Sequence, residues 1–121
     1  MEQLLAHVAG DYLLQNKWMA LEKVHRWFPA FVHGAVYSLP FLFITTEPAA
    51  IAIIAGTHVV IDRYRVAKWA MWVKELISPK KYRPSWKQMK KSAYREDFWL
   101  MVVTDNSIHM IINFFAIQRF G

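Results

Sequence analysis

The chain has no cysteine, so disulfides and any thiolate metal or redox site are excluded. Glycine (4) and proline (5) are scarce, too few for a turn-rich all-β chain or a glycine-rich nucleotide loop. Acid is short against base: 9 Asp and Glu face 15 Lys and Arg, a net +6 that points to an anionic partner, nucleic acid or a membrane face. The polar excess of a disordered chain is missing, because 55 % of residues are hydrophobic and 16 % aromatic. No cleavable leader is expected, since Met1-Glu2-Gln3 brings no basic residue ahead of the apolar run. At 121 residues there is room for one domain or one small bundle. Mean hydropathy is +0.13 although a fifth of the residues are charged, so the charges are clustered between apolar stretches.

Four helical segments are expected, at about 3–22, 30–46, 49–72 and 98–120. The first carries a polar stripe of Gln3, His7, Asp11 and Gln15 at four-residue spacing. The second has no charge from Ala30 to Ile44 unless His33 protonates, and Pro40 should kink it. After Thr45-Thr46-Glu47-Pro48, with Glu47 or Thr46 as N-cap, Ala49 to Gly56 is apolar all round. Between the third and fourth segments lies a basic stretch, 75–96, read as a loop and a short amphipathic helix. The fold class expected is therefore all-α: one membrane domain, 1–121, built as a four-helix transmembrane bundle. A soluble bundle would need a polar outer face that segments two and three lack. Lys23 and Arg26 in the first link and seven basic residues in the third place both links in the cytoplasm. Both termini then lie outside a bacterial inner membrane, and Trp18, Trp27, Trp69, Trp72, Trp86 and Trp99 fall near span ends. Anionic lipid headgroups are favoured over nucleic acid as the partner of 80–95, and a homo-oligomer would thicken so thin a bundle.

Ionisable residues inside spans are functional hypotheses by default. Of four Asp in the chain, three have a His four residues away: His7 with Asp11, His58 with Asp62, Asp105 with His109. That spacing puts both side chains on one helix face, one turn apart, as two ligands of one ion require. Depth along the spans brings Asp11, His58, Asp105 and His109 near the midplane, with Asp62 and His33 a turn to one side and His7 a turn to the other. Nitrogen and carboxylate ligands without sulfur suit Zn, Mn or Fe(II), and six such groups are enough for two ions. The same pairs also serve as interhelical glue or as an ion-conducting relay. Arg63, Arg65 and Lys68 follow Asp62 and read either as a phosphate clamp or as snorkelling membrane anchors.

The run His7-x-x-Gly10-Asp11-Tyr12-x-Leu14-Gln15-x-x-Trp18-Met19-Ala20-x-x-Lys23 resembles the opening signature of a small bacterial and phage integral-membrane family of unknown function. His33, Thr57-His58 with Asp62, and Asp105-x-x-x-His109 complete the pattern, with Asn106 standing where Gln is expected. More distantly, the arrangement is similar to membrane-bound metal-dependent hydrolases. Together these imply a hydrolase acting on a lipid or lipid-linked phosphate or ester. His7, Asp11, His58, Asp62, Asp105 and His109 would hold the metal, and Asp11, Asp62 and Asp105 would be catalytic. Gln15, His33, Tyr37, Arg63, Arg65 and Asn113 would touch substrate or orient the ligands. The alternative is a non-enzymatic phage or prophage membrane protein that perturbs the envelope or excludes competing phage, or an ion-conducting bundle.

Overall fold

The computed structural model describes residues 1–83, 85, 87 and 98–121; most of the expected amphipathic helix after residue 83 lies outside them. The described residues are helical and contain no strand, so the all-α expectation holds. The elements are α1 (Glu2–Val8), a π-helical turn (Ala9–Leu13), α2 (Lys17–Glu22), α3 (Trp27–Ser38), a 3-10 turn (Leu39–Phe43), α4 (Pro48–Tyr64), α5 (Val66–Glu75), a 3-10 turn (Lys80–Tyr82) and α6 (Phe98–Phe120).

Three of the four expected spans are shorter or broken. The 3–22 segment divides at Asn16, whose extended backbone and side chain cap α2 by accepting the Met19 N–H at 2.9 Å. Such a cap is worth about 1 kcal/mol, enough to favour a new helix over continuation of the old one. Pro40 changes the helix type: α3 gives way to the 3-10 turn at Leu39. The 49–72 segment breaks at Arg65, which adopts a left-handed conformation (φ 52, ψ 52) and ends α4 after 17 residues. At ~1.5 Å per residue that helix covers ~25 Å, short of a ~30 Å hydrocarbon layer. Only α6, over Trp99–Phe120, is both long and apolar enough to cross a membrane among the described residues; Trp27–Phe43 is apolar but shorter. The four-span bundle expected from composition is therefore not what the helix lengths provide. Glu47 takes the cap position ahead of Pro48, its carbonyl accepting the Ile51 N–H at 3.1 Å.

The chain forms two compact units, Met1–Tyr64 with His109–Gly121, and Arg65–Ile108. In the first, α3 runs along α4, and α1 with its π-turn packs on α3 and the 3-10 turn after it. Its apolar core is Ala6, Tyr37, Phe41, Ile54 and Ala116. Close approach is set by two glycines. A Cβ on Gly10 would lie 2.6 Å from Tyr37 Cδ2 and 2.8 Å from the Tyr37 carbonyl, and one on Gly34 would overlap Val59 Cγ2. In the second unit, Lys74 Nζ donates to Thr104 Oγ1 at 2.7 Å, and Ala67 and Met71 are buried.

Candidate metal centre

Polar side chains gather in the interior of the first unit. His7, His33, His58 and His109 are all within 1 % of full burial, with Asp11, Asp62 and Asn113 close behind. Each is placed by local structure. The π-turn adds a residue to the helix and turns Asp11 inward beside Gly10, which lets α1 close on Tyr37. His58 and Asp62 share one face of α4, as their spacing predicts. His33 faces them from α3 across the Gly34–Val59 contact.

Four atoms converge: Asp11 Oδ1, His33 Nε2, His58 Nε2 and Asp62 Oδ2. His33 Nε2 is 3.2 Å from Asp11 Oδ1 and 3.3 Å from Asp62 Oδ2. His58 Nε2 is 3.3 Å from each of the same two oxygens. The two Nε2 atoms are 2.8 Å apart. Asp11 Oδ1 and Asp62 Oδ2 are buried, and neither accepts a well-formed hydrogen bond from the described residues, although Asp62 Oδ2 is ion-paired with Lys23. Buried carboxylate lone pairs that converge without a full set of donors are what a cation site has and a finished hydrogen-bond network lacks.

A ring of partners fixes the orientation of these groups. His109 Nε2 is 3.0 Å from Asp62 Oδ1, and a carboxylate only accepts, so the proton sits on His109 Nε2. With both rings neutral, His109 Nδ1 accepts from His58 Nδ1 at 3.1 Å, which leaves the His58 Nε2 lone pair facing the convergence point. The Tyr37 ring stacks on His58, centroids 3.5 Å apart and planes 10° from parallel. Asn113 Nδ2 donates to the Tyr37 hydroxyl at 2.7 Å, and that hydroxyl in turn donates to His7 Nδ1 at 2.7 Å. His7 then carries its proton on Nε2, 3.7 Å from Asp11 Oδ2. His7 and His109 thus contact the outer oxygens and nitrogens of the cluster, and His33, expected to touch substrate or orient the ligands, contributes an atom to its centre.

The other expected residues sort by position. Gln15 Nε2 donates to the Asp11 carbonyl at 3.2 Å, holding the π-turn. Arg63 spans the α2–α3 link: it donates to the carbonyls of Val24 (2.7 Å) and His25 (3.3 Å) and lies over the Trp27 ring. That is a structural clamp. Arg65 ends α4 by its backbone conformation. Asp105 stands one turn before His109 on α6, half-buried, in the second unit. Lys23 went unnoticed as a site residue because its place in a basic link reads as an orientation signal. Its Nζ lies 2.5 Å from Asp62 Oδ2 and 3.2 Å from His33 Nε2. The one available signal was its place at the end of the opening signature.

Two buried carboxylates meet one ammonium and four buried imidazoles, and each uncompensated buried charge costs several kcal/mol. A divalent cation at the convergence point would take the place of imidazole protons as the counter-charge of the carboxylates. The separations fit one: neighbouring ligands around an ion at 2.0–2.1 Å are about 3.4 Å apart in a tetrahedron and about 2.9 Å apart in an octahedron. Five of the six ligand-to-ligand distances lie between 2.8 and 3.3 Å.

No curated protein and no solved structure matches the chain. One family model does, over residues 1–119, nearly the full length that carries this cluster. The chain therefore belongs to the family described as Protein of unknown function (DUF3307).

Proposed function

We propose that the protein is a membrane-associated, metal-dependent hydrolase of a lipid or lipid-linked phosphate or ester. The observation that carries this reading is the convergence of Asp11 Oδ1, His33 Nε2, His58 Nε2 and Asp62 Oδ2 at ligand-like separations in a buried site. A Zn, Mn or Fe(II) ion held by these four would act as a Lewis acid and lower the pKa of water. Asp62 and Asp11 keep their second oxygens toward His109 and His7, which hold the carboxylates in place.

Membrane association is supported by the distribution of polarity. Asp11, Asp62 and four of the five imidazoles are inside, while Leu5, Leu13, Phe28, Phe31, Phe43, Trp99 and Phe115 are more than half exposed. An exposed apolar surface of that extent marks a partner surface or lipid. Basic, exposed Lys80, Lys81 and Arg83 follow the amphipathic α5 and suit an anionic headgroup layer. The expected orientation, termini outside and basic links in the cytoplasm, rests on the Lys/Arg asymmetry alone.

One observation favours a second reading. The Lys23–Asp62 ion pair supplies a positive charge within the chain, as a metal-free structural network in a non-enzymatic membrane protein would need. Metal analysis separates the two. Full-length protein that stays with membranes through an alkaline carbonate wash should retain about one divalent ion per chain after gentle purification. The ion should be lost in His33→Gln and His58→Gln and kept in His25→Gln, an exposed link residue. Background metal in the wild type, even after incubation with Zn, Mn or Fe(II), decides for the structural network.

A further inference from the structure

Lys23 brings an ammonium to the cluster, and it stands at the open side. Its side chain is 17 % exposed, against 10 % for Asp11, 4 % for Asp62 and 1 % for His33 and His58. Its place is well defined at the backbone. It follows the last turn of α2, its N–H bonded to the Met19 carbonyl at 3.0 Å, and Arg63 pins the next two carbonyls. A fixed backbone and a long, jointed side chain make an arm whose head can move while its base does not.

The atoms it touches are also two of the four converging ligands, Asp62 Oδ2 and His33 Nε2. An imidazole nitrogen has one lone pair, so His33 Nε2 serves the ammonium or a metal ion and not both. Metal loading must therefore turn Lys23 away from His33. With the ion bound and its ligating imidazoles neutral, two carboxylates, one ammonium and one divalent ion sum to +1. In a mostly buried site that residual charge calls for one anion.

We propose that Lys23 is the anion-binding arm of this site, a positioning residue that releases His33 when the ion binds and then, beside the ion, holds a phosphate oxyanion. The inference rests on the metal reading above and adds a ligand class to it. Free phosphate and a phospholipid headgroup share the chemistry; they differ in the acyl chains, which the exposed apolar surface would favour.

Binding, not turnover, tests it. Full-length protein in mild detergent is titrated with Mn²⁺, followed by electron paramagnetic resonance, alone, with inorganic phosphate, and with short-chain phosphatidic acid. In the wild type, phosphate should tighten Mn²⁺ binding about tenfold, within the usual range of site-to-site coupling. Lys23→Met should bind Mn²⁺ at least as tightly without phosphate, because the competing ammonium is gone, and should lose the phosphate effect. Lys23→Gln is the second neutral variant should Lys23→Met not fold, and Lys23→Arg should keep part of the effect. A stronger response to phosphatidic acid than to phosphate assigns the headgroup as the source; an equal response assigns free phosphate. Mn²⁺ binding that ignores both anions in the wild type, or a phosphate effect that survives in Lys23→Met, overturns the role of Lys23 and leaves the metal site standing. No Mn²⁺ binding by wild type or by Lys23→Met overturns the metal reading itself.

Discussion

Asp62→Asn should be the most damaging conservative change in the molecule. Both oxygens of Asp62 are engaged: Oδ1 takes the His109 N–H, while Oδ2 faces Lys23, His33 and His58. The substitution keeps the size and removes the negative charge. In the metal-free protein it leaves the Lys23 ammonium, its side chain 17 % exposed, beside a neutral amide, and breaking a mostly buried ion pair this way costs up to about 3–5 kcal/mol. In the metal-bound protein it also removes a ligand, which should lower affinity by at least about a hundredfold, more than the loss of an outer partner costs. The two effects are read separately. Saturating metal at about a hundred times Kd should stabilise the wild type by ~2.7 kcal/mol and raise its Tm; Asp62→Asn at the same concentration should show almost no rise. Asp11→Asn should behave alike, and the double variant should be little worse than either single in metal affinity, because ligands of one ion act as a unit. Independent, additive losses with no metal-dependent Tm in the wild type would identify helix-to-helix bonds and no ion.

Gly34→Ala should come next in size, for a steric reason. The added methyl would overlap Val59 Cγ2 and lie 3.1 Å from the Ala55 carbonyl. Neither neighbour can retreat cheaply: Val59 is β-branched and buried, and Ala55 contributes backbone. Overpacking of this kind costs about 1–3 kcal/mol, and here it acts on the main helix pair of the unit, α3 and α4. Separating these helices also moves His33 away from His58, so metal affinity should fall along with Tm. Gly56→Ala on the same α4 is the control. Nothing lies within 4 Å of its added methyl, and an exposed helical Gly→Ala gains about 1 kcal/mol. Thermal unfolding should therefore show the two substitutions moving Tm in opposite directions. A Gly34→Ala protein as stable as the wild type would mean that α3 and α4 are not in this contact.

What the sequence determined was whatever follows from neighbours along the chain. The all-α class came from long apolar stretches without turn residues. The facing of His58 and Asp62 came from a four-residue spacing that any α-helix converts into one face. That the chain belongs to a family of unknown function was legible because the motifs span the whole chain. Helix ends were harder: the Asn16 cap and the left-handed Arg65 are single-residue events inside otherwise helix-compatible stretches, and they turned expected spans into shorter pieces. The roles within the cluster were decided only by tertiary structure. The four-residue spacing alone does not say which atoms His7 and His109 meet; in the folded chain these are the outer atoms of Asp11, Asp62 and His58. His33 and Lys23 have no Asp four residues away; packing of α3 on α4 and the Arg63 clamp bring them to Asp62. Periodicity says which face of a helix a residue occupies, but which atom meets which depends on the distance and rotation between helices. Here those are set by contacts such as Gly34 against Val59 and Gly10 against Tyr37, between residues 25 and 27 positions apart in the chain.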